Sequence, residues 1–228
     1  MTQAVKLVAI TKPQVESLET AADLISYCAR VSNPSNQMNT STSAGLLNYC
    51  IKHKHFSIFE MANMVVEINT TRDISRQILR HRSFSYQEFS GRYSKMPEQS
   101  VLREARIQDP KNKQNSIVCG DEQIINDFQG SQSLVWQEAL RNYNLALEAG
   151  IAKEQARALL PEGMTKTRMY MNGTIRSWIH YCLVRCGVET QKEHRLIAKE
   201  VCKLLIGQMP FLQDTLGKCL EEKYSAEV

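Results

Sequence analysis

Arg80-His81-Arg82-Ser83-Phe84-Ser85-Tyr86-Gln87-Glu88-Phe89-Ser90-Gly91-Arg92 sets three adjacent cation-capable side chains directly before hydroxyls, an amide, a carboxylate and another arginine. Arg-His-Arg concentrates fixed positive charge and forked donors, which suits phosphate or another anion. The residues that follow supply both donors and acceptors, as a nucleobase or sugar edge requires. Residues 73–82 read as a helix with Ile74 and Ile78 inward, so four-residue spacing sets Arg76 by Arg80 and Gln77 by His81. Residues 86–93 read as extended chain, in which Glu88, Ser90 and Arg92 share a face. Helix-borne cations beside a strand-borne polar row predict a site and an α+β fold.

Outward from this stretch, residues 61–70 carry Val65, Val66 and Ile68 and are the best strand in the chain. Residues 4–10 and 166–172 read as further strands. Helices are expected over 17–30, from about 42 to 55, over 151–160 up to Pro161, over 174–186 and over 191–206; residues 211–220 close the chain. A long helix is expected over 122–149, interrupted or weakened at Gly130 and closed by Gly150. Residues 98–116, with Arg103, Arg106, Lys111 and Lys113, read as a mobile basic excursion. There is no internal repeat and no low-complexity linker. The expectation is one α+β domain over residues 1–228, a mixed or antiparallel sheet flanked by helices.

Bulk properties narrow the function. At 43% hydrophobic content, 228 residues can bury a real core. No apolar run approaches membrane-spanning length and Met1-Thr2-Gln3-Ala4-Val5-Lys6 lacks a signal-peptide pattern, so a cytoplasmic protein without a membrane role is expected. A net charge of +4 suits an anionic small molecule and falls short of a dedicated nucleic-acid binder. The seven cysteines form no Cys-x-x-Cys pair, and the spacing of Cys182 and Cys186 reads as buried free thiols rather than a metal site. Gly-x-Gly-x-x-Gly and Gly-x-x-x-x-Gly-Lys are both absent, so a bound flavin or dinucleotide would not use a Rossmann or Walker loop.

The opening stretch resembles the signature of the flavin-dependent thymidylate synthases: Arg-His-Arg, two spacers, Ser, four spacers, Ser, one spacer, Arg. Those positions are Arg80, His81, Arg82, Ser85, Ser90 and Arg92, with Glu88 also in its usual place. The resemblance implies that Arg80, His81 and Arg82 hold FAD. It puts Gln77, Ile78, Leu79, Arg80, Glu88, Phe89, Ser90, Gly91 and Arg92 around the nucleotide dUMP, with Glu88 also near the flavin. Arg92 suits the phosphate.

Three further clusters extend the resemblance. His53, His55 and Glu60 alone give only a weak metal pattern, and no metal site is expected. The family has a histidine, a small hydroxyl residue and a glutamate at the spacing of His55, Ser57 and Glu60, near the flavin. Glu154 and Arg157 lie one turn apart and alone read as a helical ion pair. The family uses an arginine just before this Leu-Pro for the nucleotide, which corresponds to Arg157. On the helix over 174–186, Arg185 lies roughly half a revolution around from Arg176, at ~100° per residue. This spacing reads either as a last-turn cation that favours the helix dipole or as service to two different sites, or to sites shared between subunits. By resemblance, Thr174, Ile175, Arg176 and His180 are flavin contacts, although the family often has asparagine at Thr174 and His180. Arg185 would then sit by the uracil ring, favouring its ionised form, as the catalytic residue.

The implied reaction converts dUMP to dTMP, with methylenetetrahydrofolate as carbon donor, FAD as hydride carrier and NADPH as reductant. The implied assembly is a homotetramer with sites shared between subunits. No cysteine follows a proline, so the cysteine-based mechanism of ordinary thymidylate synthases has no carrier. Ser90 has no histidine or lysine placed to deprotonate it and reads as a positioning residue. The alternatives are a flavoprotein that only oxidises NADPH and a basic nucleic-acid-binding module.

Overall fold

The computed structural model describes residues 4–225. Met1–Gln3, part of the N-terminal stretch discussed above, lie outside the described residues. The chain forms β1 (Val5–Ile10), α1 (Ala21–Ala29), α2 (Ser43–Lys52), β2 (Asn63–Thr71), α3 (Arg72–Ile78) and β3 (Ser85–Glu88). Next come the short strands β4 (Arg106–Gln108) and β5 (Ser116–Val118), then α4 (Glu122–Glu148) and α5 (Lys153–Ala156). The last elements are β6 (Lys166–Thr174), α6 (Ile175–Arg185), α7 (Lys192–Gln208) and α8 (Gln213–Leu216). The fold is α+β, built on a four-stranded antiparallel sheet in the order β1-β2-β6-β3.

Hydrogen bonds at both ends of the β2–β6 pair fix its direction. Ile175 N–H donates to the carbonyl of Ala62, and Arg72 N–H donates to the carbonyl of Thr165, both near 3 Å. Only antiparallel chains bring those two pairs together. β1 also runs antiparallel to β2, with an irregularity between Leu7 and Ala9. Side chains alternate as a half-buried sheet requires: Met64, Val66 and Ile68 of β2 point inward, as do Thr167, Met169, Met171 and Gly173 of β6.

The described chain divides into two compact units: residues 4–68, 81–86 and 170–225, and residues 69–80 and 87–169. In the first, α6 packs on α7 and α1 on α2. Trp178 is fully buried and its indole N–H donates to the carbonyl of Met64 (2.9 Å). Gly173 is required by close approach, since a Cβ there would lie 2.3 Å from the Phe84 ring. Cys182, Cys186, Cys202 and Cys219 are free and fully buried here, and burial holds the Cys182 thiol well above its ordinary pKa. In the second unit, Met96, Trp136, Tyr143, Ala156, Leu160 and Met164 form the core, and the Tyr143 hydroxyl accepts from Met96 N–H (2.9 Å).

Several expectations are corrected. The first helix begins at Ala21 rather than 17, because Thr20 and Asp23 form a reciprocal capping box and Ser17 has a φ of 68°. α3 stops at Ile78, so Arg80 and His81 lie beyond its end rather than on helical rows with Arg76 and Gln77. β3 stops at Glu88, and Tyr93 and Ser94 N–H both donate to the Ser90 carbonyl. Ser90 and Arg92 therefore lie in a turn, not on a strand face with Glu88. Residues 98–116 are irregular for most of their length, as expected, but β4 pairs with β5 as a hairpin, and Arg103 grips both carboxylate oxygens of Asp73 (2.7 and 2.9 Å). α4 is unbroken through Gly130, where an added side chain would meet open space. Gly150, at φ +84°, does follow its end as expected. Among the described residues no helix is long and apolar enough to cross a membrane.

Candidate active site

The first unit contains a cavity of about 390 Å³ between the turn 56–61 and α6. Phe56, Ile179 and Leu183 give it apolar walls, while Glu60, Arg176, Ser177, His180 and Ser83 add polar groups. Arg176 and Glu60 form an ion pair. α6 is positioned by its start: Thr174 caps it, accepting from Ser177 N–H (3.2 Å), which leaves Arg176 and His180 one turn apart and exposed. Ile175 belongs to the core, fully buried. His55 and Ser57 flank Phe56 but do not line the cavity. The His55 ring instead lies near Tyr49 and His53.

Further along α6, Arg185 Nε donates to His81 Nε2 at 2.8 Å. Tyr181 packs edge-on against the His81 ring, and its hydroxyl meets His194 Nε2 at 3.1 Å. His194 is 1% exposed and its Nδ1 has no hydrogen-bond partner among the described residues. Burial, with the nearby Arg185 and His81, pushes its pKa down to about 3. Arg176 and Arg185 thus have different partners, Glu60 and His81. The sequence reading missed Tyr181 and His194, whose positions carry an aromatic and an imidazole on ordinary helical spacing and no motif.

The second unit holds a cavity of about 440 Å³ in which Arg72, Arg76 and Arg157 converge with Glu154 and Glu162. Arg72 and Arg76 are both paired with Glu162, at 3.5 and 3.6 Å. Glu88 is committed as well: it accepts from the hydroxyls of Ser75 and Thr167 (2.9 Å each) and from Arg76 (3.1 Å). Glu154 does not pair with Arg157; its Oε2 accepts from Arg92 Nε at 3.2 Å. Gly91 packs so tightly that a Cβ there would lie 2.4 Å from Met96 Sδ and 3.3 Å from Arg157 Cδ, so it seats the Arg157 side chain. Ile78 is core, Leu79 caps α3, Gln77 and Phe89 are half-buried, and Arg80 and Arg82 project from the turn after α3. Arg72 and Glu162, unmarked by the motif, join the cavity through long-range placement.

Chemically, the first cavity offers apolar surface for a ring system with charged groups at its edge. It is smaller than a whole flavin adenine dinucleotide but fits part of one, and its donor set suits the polar edges. The second is an anion seat with arginine forks.

Comparison with known proteins agrees with this chemistry. Residues 14–211 match the family model described as thymidylate synthase complementing protein. A flavin-dependent thymidylate synthase from Synechocystis is 50% identical over 90% of this chain and 95% of its own length. A probable flavin-dependent thymidylate synthase from Paramecium bursaria Chlorella virus 1 is 48% identical over 92% and 97%. A solved UMP/dUMP methylase from Streptomyces cacaoi, bound with 5-Br dUMP, shares the fold at a TM-score of 0.79 and 22% identity, covering 93% of each chain. With a family model spanning most of its length and relatives near half-identical end to end, the chain belongs to the flavin-dependent thymidylate synthases.

Proposed function

We propose that residues 1–228 act as one catalytic domain that methylates dUMP to dTMP in the cytoplasm, with methylenetetrahydrofolate as carbon donor and NADPH as reductant. What carries this reading is the division of labour between the two cavities: one with apolar walls and a charged edge, one dominated by three arginines. Bound FAD would supply the hydride-carrying step.

The chain's own residues supply binding and electrostatics. Glu60, Arg176 and His180 hold the flavin's polar edges, with Arg80, His81 and Arg82 as the other cationic group toward it. Arg92 and Arg157 bind the nucleotide phosphate, and Ser90 and Gly91 orient the nucleotide beside them. Arg185 stabilises negative charge developing on the uracil ring. Its Nε donates to His81, which restricts the orientation of the guanidinium and supports this role. Complete sites assemble between subunits of a homotetramer.

The test is product formation from dUMP with FAD, NADPH and methylenetetrahydrofolate supplied together and then omitted singly. Thymidylate should appear only with the full set. Flavin-dependent NADPH oxidation without thymidylate would reject the carbon-transfer reading.

A further inference from the structure

Glu154 stands where the nucleotide site should be most cationic. It lines the arginine cavity together with Arg157, one turn away on the chain. The pairing that local spacing favours, Glu154 with Arg157, is not the one formed. Glu154 reaches across to Arg92, and the Arg157 side chain is left with no hydrogen-bond or ion-pair partner among the described residues. The other cavity arginines differ, since Arg72 and Arg76 are balanced by Glu162 and Arg76 also by Glu88. The cavity therefore keeps one uncommitted arginine, Arg157, beside a lining carboxylate, Glu154, that holds the Nε of Arg92.

That carboxylate is well suited to leave. Arg92 and Glu154 side chains are 70% and 48% exposed, so their attraction is screened by water and weak. A phosphate monoester carries up to two negative charges and three acceptor oxygens, and can engage a guanidinium fork in a way a singly charged carboxylate at one nitrogen does not. It would also repel Glu154 from the seat.

We infer that Glu154 is an internal stand-in for phosphate that occupies Arg92 until a phosphate dianion displaces it. The device raises the threshold for binding at the seat: weakly held monoanions compete poorly with Glu154, whereas a nucleotide monophosphate that also engages Arg157 succeeds. The inference rests on the assignment of Arg92 and Arg157 to the nucleotide phosphate.

The experiment is calorimetric titration of the full-length protein with dUMP and, separately, with inorganic phosphate, in phosphate-free buffer at low and high ionic strength. Glu154→Gln should bind both anions about threefold tighter or more at low salt, in the range expected for release of an exposed ion pair. The gap should narrow at high salt. Glu154→Asp, which keeps the charge, should stay near the wild type. An unchanged or weakened affinity in Glu154→Gln, with dUMP still bound by the wild type and lost in Arg92→Ala, would overturn the stand-in role while leaving the seat intact. If Arg92→Ala binds dUMP like the wild type, the seat assignment fails and the inference with it.

Discussion

At the scale of single residues, the proposed catalytic role falls on Arg185. Its Nε bond to His81 restricts a long side chain and aims its planar donors, which is the pre-organisation electrostatic catalysis requires. Arg185→Ala should lower thymidylate formation by ~10²–10³-fold, on the scale seen when one oriented donor is removed, while flavin absorbance in the purified protein persists. Normal turnover in that variant would remove Arg185 from the chemistry.

Behind it, His194 predicts a pH effect with a definite sign. Its pKa falls from an ordinary 6.5 to about 3 in the folded protein because burial, Arg185 and His81 all disfavour the imidazolium. The unfolded chain therefore binds a proton between those values that the folded chain refuses. The stability that His194 permits is fully present above pH 6.5 and is lost as pH falls toward 3, at up to about 1.4 kcal/mol per pH unit. His194→Gln should flatten the decline in thermal midpoint between pH 6.5 and 4 relative to wild type. Parallel curves for the two proteins would contradict it.

At the scale of elements, the end of β6 and the start of α6 are locked to the segment carrying the Arg-His-Arg motif. Phe84 lies over Gly173 and meets Trp178 edge-on with ring centres 4.6 Å apart. Replacing Gly173 by alanine drives a methyl into the Phe84 ring and should cost about 1–3 kcal/mol by urea denaturation. Phe84→Leu in the same protein should recover part of the loss, because the two positions share one contact. Strict additivity of the two changes would mean the contact is not the cause. The early ends of α3 and β3 matter as much. Freed from helical rows, His81 can turn to Arg185, and freed from a strand face, Arg92 can reach Glu154.

At the scale of the whole molecule, the proposed assembly is the least local property. Sites shared between subunits require that the active species be an oligomer, so light scattering under assay conditions should give the mass of a tetramer, four times 26.0 kDa. Activity should fall with dilution as the tetramer dissociates. A monomer of full specific activity would rule out shared sites.

The sequence by itself determined the family and the chemistry: six motif positions within thirteen residues are enough to mark it, and alternating or helical apolar spacing marked β1, β2, β6 and most helices within a few residues. Such signals are legible because burial repeats with the local period of the backbone. Only the tertiary structure decided which charges meet. Glu154 chose Arg92, 62 residues away, over Arg157 three residues on, and Glu88 was claimed by Thr167, 79 residues away. Exposed ion pairs differ by only tenths of a kcal/mol, so proximity along the chain does not select among them. The positions of the two backbones do, and those follow from packing of distant segments such as Gly91 against Met96 and Arg157.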